Sequence, residues 1–202
     1  DDAPIEERRT QAVQNRRFGD ADNVGEMGAL DADAIAGVRD EAWPRARSAD
    51  EVHEALMTLG AITAPEARAN ERWDAALAQL ARGGRATRLL GGGAAVWVAA
   101  ERLAALRQVW PGAEPRPAIA SPRGYEAGFE TPEAALRDLL RARLGGLGPV
   151  TLDQLAAQLA LPPHAIEGAL AALQAECSVV QGRTTPGLAA GEWCERHLLA
   201  RI

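Results

Sequence analysis

A helix, a glycine-type break and a short strand follow one another twice in this chain, and this recurrence constrains the fold more than any other feature. The first copy is AALAQLARGGRATRLLGGGAAVWVAAERL, Ala75 to Leu103, and the second is GALAALQAECSVVQGR, Gly168 to Arg183. Leu77 and Leu80 recur as Leu170 and Leu173, 93 residues on, and Gly84 recurs as Cys177. Trp97-Val98 and Trp193-Cys194 lie at comparable places beyond each break. In the first copy, Gly91-Gly92-Gly93 joins two strand-like runs, Arg85 to Leu90 and Ala94 to Ala99. Glycine adopts positive φ easily, so this stretch predicts a hairpin.

Turn and cap signals place the remaining elements. Asp31 caps a helix through Ala42, which stops before Pro44 because the residue preceding proline avoids the α region. Ser48-Ala-Asp-Glu51 has the form of a capping box and opens a helix ending at Gly60. Thr63 to Glu66, with Pro65 inside, starts a longer helix to about Arg82, and Glu101 to Val109 returns to helix. In the second half, Thr131-Pro132-Glu133 opens a helix to Leu144, and Gly145 to Pro149 turns the chain. Thr151-Leu-Asp-Gln154 opens a short helix to Leu159, and His164 to Ala175 forms another. Ser178 to Gln181 is strand-like, and Glu192 to Ile202 reads as helix. Ile5 to Arg17 reads as a short charged helix and Phe18 to Leu30 as a loop. Trp110 to Glu130, with four prolines and three glycines, reads as a linker.

The expected fold is therefore mainly α with small β hairpins (α+β), arranged as tandem winged-helix domains. The expected boundaries are 1–30 for an N-terminal helix and loop, 31–109 for the first winged-helix domain, 110–130 for the linker and 131–202 for the second domain. Asp-Asp-Ala-Pro at one end and Ala-Arg-Ile inside a helical pattern at the other read as a piece of something longer, with the second domain cut short.

Composition narrows the function. All 22 basic residues are Arg, so a G-x-x-x-x-G-K-[ST] phosphate loop cannot occur here. The net charge of −6 argues against strong autonomous binding to nucleic acid, but residues 1–60 carry 14 of the 28 acidic residues. The middle of the chain can still present a basic face. No run approaches the roughly 20 apolar residues of a membrane span. Cys177 and Cys194 have no metal-type spacing and suit free thiols in a reducing cytoplasm.

Arg82, Arg85 and Arg88 cluster where the first copy turns from helix into hairpin, and guanidinium is a good phosphate partner through paired, charge-assisted bonds. The alternative is a solvated rim. Trp97 and Trp43 are candidates to stack on unpaired bases, against an ordinary place in the core, which suits Trp73 and Trp193 better. The second copy has Arg183 as its only basic residue on the wing, while its third helix exposes His164, Glu167, Gln174 and Glu176. Carboxylates repel phosphates, so this copy reads as a bracing or docking module. His53, His164 and His197 are scattered, and Cys194 near His197 lacks a third group, so no catalytic residue, metal site or cofactor site is assigned.

Five stretches, DDAPIEERRTQA, LDADAIAGVRDEAWP, ARLGGLGPVTLDQLA, ALAALQAECSVVQGRTTPG and EWCERHLLARI, resemble the large helicase-related (Lhr) family of superfamily 2 ATP-dependent helicases. The resemblance implies the region after the motor domains, a non-catalytic module that braces the motor and completes a channel for single-stranded DNA. It implies a parent that acts in DNA repair on single-stranded or tailed DNA, or on RNA–DNA hybrids, with ATP and Mg bound in motor domains outside this chain. Cys177 stands where that family leads one to expect glycine, Thr184 where it leads one to expect an aromatic residue, and His197 where it leads one to expect Arg. Two alternatives stay open. One is a protein-docking adaptor with no nucleic-acid role. The other follows from a resemblance of the tandem winged-helix arrangement to DNA glycosylases that unhook alkylated bases, whose catalytic glutamine motif has no match here.

Overall fold

A computed structural model describes residues 31–202. The expected N-terminal helix and loop lie outside the described residues. The first element is helix α1, Ala32–Ala42, whose N-cap Asp31 accepts from the Asp33 amide at 2.9 Å. Helix α2, Ala49–Leu59, starts at Ser48, whose hydroxyl accepts from the Glu51 amide at 3.2 Å. The Glu51 carboxylate accepts from the Arg47 amide instead of reaching Ser48, so this box is half formed.

Strand β1, Ile62–Thr63, leads into helix α3, Ala64–Ala69, which has a complete capping box between Thr63 and Glu66. The expected long helix to Arg82 is in fact two, α3 and then α4, Trp73–Arg82. The break has a local cause. Asn70 donates its side-chain N–H to the Glu66 carbonyl at 2.8 Å, and Arg72 sits at a φ of 68° in the left-handed region.

Strands β2, Ala86–Gly91, and β3, Ala94–Ala99, form the expected hairpin. A single 3-10 turn leads to helix α5, Leu103–Val109. The stretch read as a linker contains a strand, β4, Glu114–Arg116, which pairs antiparallel with β2 and gives the order β1-β3-β2-β4. Its Pro115 is tolerated because β4 is an edge strand.

Helix α6, Pro132–Leu147, runs through Gly145-Gly146 instead of turning there. Gly146 packs on Leu59, where an added Cβ would lie 2.4 Å from Leu59 Cδ2, so this glycine serves helix contact. Strand β5, Val150–Thr151, helix α7, Leu152–Leu159, and helix α8, Pro163–Ala175, follow. Strand β6, Val179–Gly182, pairs with β7, Glu192–Glu195, in the order β5-β7-β6. The expected helix from Glu192 is thus a strand followed by the short α9, Arg196–Leu199.

The chain is an α+β protein with two small antiparallel sheets, and each half has the helix–strand–helix–helix–hairpin order expected of a winged helix. Ile62 pairs with Trp97, as Val150 pairs with Trp193. Helices α4 and α8 end alike. The Arg85 amide donates to the Leu80 carbonyl at 2.9 Å, and the Ser178 amide to the Leu173 carbonyl at 3.0 Å. The residue before each is left-handed, Gly84 at a φ of 69° and Cys177 at 57°.

Both faces of the first sheet carry core residues. Ala86, Ala99 and Ile62 pack on α2 and α4, with Leu56, Trp73 and Leu77. Leu89, Val96 and Val98 join a core that continues through Leu106 to Leu139, Leu155, Leu170 and Trp193. Val38, Cys194 and Leu198 pin α1 to the C-terminal end.

At the centre of this contact is Arg143 on α6, whose side chain is fully buried. It donates to the Ala61 carbonyl at 2.9 Å and forms a two-pronged pair with the Glu66 carboxylate at 2.5 and 3.2 Å.

Two outcomes follow. Arg143→Ala leaves the Glu66 carboxylate without its partner and is expected to cost about 3 kcal/mol in chemical denaturation. Adding Glu66→Gln restores part of that loss, because Gln154 fills the same cap in α7; no recovery contradicts the pairing. Cys177→Gly relieves a left-handed side-chain residue and is expected to raise stability by about 1 kcal/mol. A fall would show that the cysteine is held there by something besides the turn.

Candidate nucleic-acid interface

Arg88 on β2 lies directly opposite Trp97 on β3 and Arg116 on β4, so all three share one face of the sheet. The Arg88 guanidinium carbon is 5.6 Å from the Trp97 ring centre, a cation–π contact. Trp97 is half-buried and also packs on the α2–α4 core, so it belongs to both the core and the arginine face. Arg85 reaches the Asp50 carboxylate on the first turn of α2 at 2.5 Å. Its hydrogen bond, and then its charge, hold the Asp50 carboxyl below the usual aspartate range. Arg82 is exposed at the end of α4.

Trp43 lies apart from this group, in the loop between α1 and α2. It stacks on Trp73 with ring centres 6.0 Å apart and donates to Asn70 Oδ1 at 3.2 Å. Arg183 is exposed just beyond β6, in the other half of the chain. The structure therefore groups Arg88 and Trp97, adds Arg116, and leaves Arg85 (paired with Asp50), Trp43 and Arg183 at separate places. Arg116 was hidden from sequence reasoning because three residues of Glu-Pro-Arg are too short to show a strand period.

The first hairpin tip does not project. An added Cβ on Gly93 would meet Ala160 Cβ at 3.5 Å, and one on Gly91 would lie 2.4 Å from the Gly112 carbonyl. This tip is seated against the rest of the protein, so the arginine face lies along the sheet and not at a free loop.

In the second half, Glu192 is buried and collects four hydrogen bonds, from the Thr184 amide and hydroxyl at 3.2 and 2.6 Å and the Thr185 amide and hydroxyl at 2.7 and 2.8 Å. Thr184, at the place expected for an aromatic residue, is thus spoken for. Burial pushes the Glu192 carboxyl up, but the bonds from both threonines outweigh it and hold the group below the usual glutamate range. Glu176 pairs with Arg137 at 3.4 Å and with Arg141.

A groove of about 710 Å³ runs beside α8, lined by Gln108, Leu136, Arg137, His164, Gly168 and Ala172 among others. Gln108 is held by the Phe129 backbone at 2.8 and 2.9 Å, Gln154 is a cap, and Gln79 and Gln174 are exposed. Burial, and then the neighbouring Glu195 charge, push the Cys194 thiol up to about 11, so it stays protonated at neutral pH. The exposed His197 contacts Glu195 at 2.7 Å. Among the described residues no cluster of three His, Cys, Asp or Glu side chains could hold a metal ion. No helix among them is long and apolar enough to cross a membrane.

The described residues form two units, each with the element order of a winged helix-turn-helix. A family model described as DNA glycosylase AlkZ-like matches residues 1–198, and the chain belongs to that family. A search of curated proteins found no match. The family match corrects the helicase resemblance. The helicase and ATP-dependent roles, and the reading of the chain as a helicase fragment, fall with it.

The Glu192 cluster gives a pH signature. A carboxyl depressed in the folded state stabilises above its unfolded pKa of about 4.3, and that contribution is lost as pH falls through the folded value. Thermal melts should therefore separate the protein from Glu192→Gln at neutral pH and bring the two together under acid. Parallel curves from pH 7 downward would contradict the assignment.

Proposed function

We propose that this chain works as a DNA-binding part of a base-excising enzyme, holding the sugar–phosphate backbone on the face formed by Arg88, Arg116 and Trp97. The observation that carries the reading is the glycosylase family match over residues 1–198, with this arginine face supplying the contact. Arg85 and Arg82, near the start of β2, are further candidates for backbone contact. The Arg85–Asp50 pair is exposed, so a phosphate displaces it at little cost. A glycosylase must extrude its target base from the duplex. The groove beside α8 has room for one and an apolar floor. Gly168 lines it, and an added Cβ there meets nothing within 4 Å, so Gly168→Phe fills the groove without disturbing the core. This reading takes the place of the helicase module; the docking adaptor has no specific observation in its favour.

Two measurements test it. With a duplex bearing an alkylated purine, the protein should release the base and leave an alkali-labile strand, and Gly168→Phe should lose release but keep binding. Absence of release by the wild-type protein, with binding intact, rejects the excision step. Arg88→Ala with Arg116→Ala should lower the slope of log affinity against log salt by about 2, near 0.9 for each phosphate contact. An unchanged slope moves the backbone contact elsewhere.

A further inference from the structure

The loop between α1 and α2 carries an arrangement that the sheet face does not use. Pro44, Arg45 and Arg47 form one side of a cleft of about 490 Å³, and Asn70, Glu71 and Arg72, at the α3–α4 turn, form the other. Trp43 and Trp73 make its wall. Trp43 also lines a second hollow of about 460 Å³, with Ala36, Gly146 and Leu147, which Trp73 does not reach. One side of the Trp43 ring is therefore stacked on Trp73, and its other side faces an open, mostly apolar space large enough for a flat ring.

The charges near this ring are exchangeable. Arg45 is exposed and pairs with the exposed Asp40. Arg72 is exposed and lies 3.5 Å from the exposed Glu71. Glu51, four residues on from Arg47, accepts from the Arg47 backbone amide at 2.6 Å and not from its guanidinium. Exposed pairs of this kind are weak and yield to a phosphate. The cleft borders the approach to α2. Arg47 lies two residues before α2, and Asp50 on the first turn of α2 is the partner of Arg85. Arginines thus occur on β4 and β2, before α2 and at the α3–α4 turn, whereas the approach to α6 and its first turn carry Glu126, Glu130 and Glu133.

We infer that this loop is a second DNA contact, taking an unpaired base in the hollow on the free side of Trp43 and its flanking phosphates in the neighbouring cleft, on Arg45, Arg47 and Arg72. The inference rests on the DNA reading above, but names a place and a strand state that the reading does not require. A guanidinium fork suits phosphate, and an indole face accepts any base by stacking.

The test compares a labelled blunt duplex with a duplex bearing a short single-stranded tail, titrated with salt. Arg45→Ala/Arg47→Ala/Arg72→Ala should bind the tailed duplex more weakly and lower its salt slope by about 2, at roughly 0.7 per contact on a single strand. Blunt-duplex binding should change less. Arg107→Ala/Arg123→Ala/Arg196→Ala, which removes the same charge from exposed positions elsewhere, should leave both slopes near wild type. Trp43→Leu should weaken tailed binding about tenfold. Its circular dichroism melt identifies any loss that comes from the Trp73 stack. If the cleft variant binds both DNAs as wild type does while Arg88→Ala/Arg116→Ala is weakened, the cleft inference is wrong and the DNA reading stands. If the control triple variant loses as much as the cleft variant, net charge explains the effect and the inference is overturned. If wild-type protein binds neither DNA at low salt, the DNA reading and the inference fall together.

Discussion

Burying a guanidinium is costly without partners, and Arg143, whose Nε alone stays unbonded, sets the terms for how the two halves of this protein meet. Two of its partners, the Ala61 carbonyl and the Glu66 carboxylate, belong to the first unit, while Arg143 itself sits on the first helix of the second and also donates to Gln158 Oε1 at 3.4 Å. Glu66 has two duties, because the same carboxylate also accepts from the Thr63 amide to complete the cap of α3. In the equivalent cap of α7 the residue is Gln154, which has no cation to meet. A carboxylate at the first position and a carboxamide at the second is therefore the trace of the inter-unit contact in otherwise similar motifs. Arg102, which contacts Asp138 at 2.5 Å, and Gly146, packed on Leu59, hold the same seam on either side. With the seam fixed, the first hairpin tip rests on Ala160.

Much of the architecture was legible because local rules wrote it. The caps at Asp31 and Thr151, the glycine hairpin at 91–93 and the left-handed break at 84 and 177 each follow from one or two residues. What was not legible depended on distant partners. Strand β4 exists because β2 offers it an edge, and nothing in Glu-Pro-Arg alone shows that. Strand β7 reads as helix in isolation, yet Val150 and Val180 hold Trp193 and Cys194 extended by pairing on both sides. Gly145-Gly146 looks like a stop and is in fact a flat contact inside a helix. At the candidate interface, Arg85 and Arg88 could be named from their spacing, whereas Arg116 and the cleft arginines come together only in the fold.

The helicase resemblance failed for a physical reason that the structure makes visible. Several of the stretches that carried it are folding devices. Glu192 of EWCERHLLARI holds both threonines of QGRTTPG, LDQLA carries the α7 cap, and Arg143 stands at the head of RLGGLGP. Residues of this kind report a winged unit and its neighbour, and a winged unit can serve enzymes with unrelated chemistry. The family match over residues 1–198 places the unit among DNA glycosylase AlkZ-like proteins. The side chains that face solvent, not those that cap helices, are where its reaction must be sought.

The most direct test of where DNA lies is photocrosslinking of bromodeoxyuridine-substituted tailed DNA to the protein, with the attachment sites read by mass spectrometry. Attachment at Trp97 and within residues 43–47 is the expected result, since these indoles and arginines border the proposed path. Attachment confined to residues 183–191, with none at Trp97 or within residues 43–47, would contradict it, and would put the strand on the opposite unit.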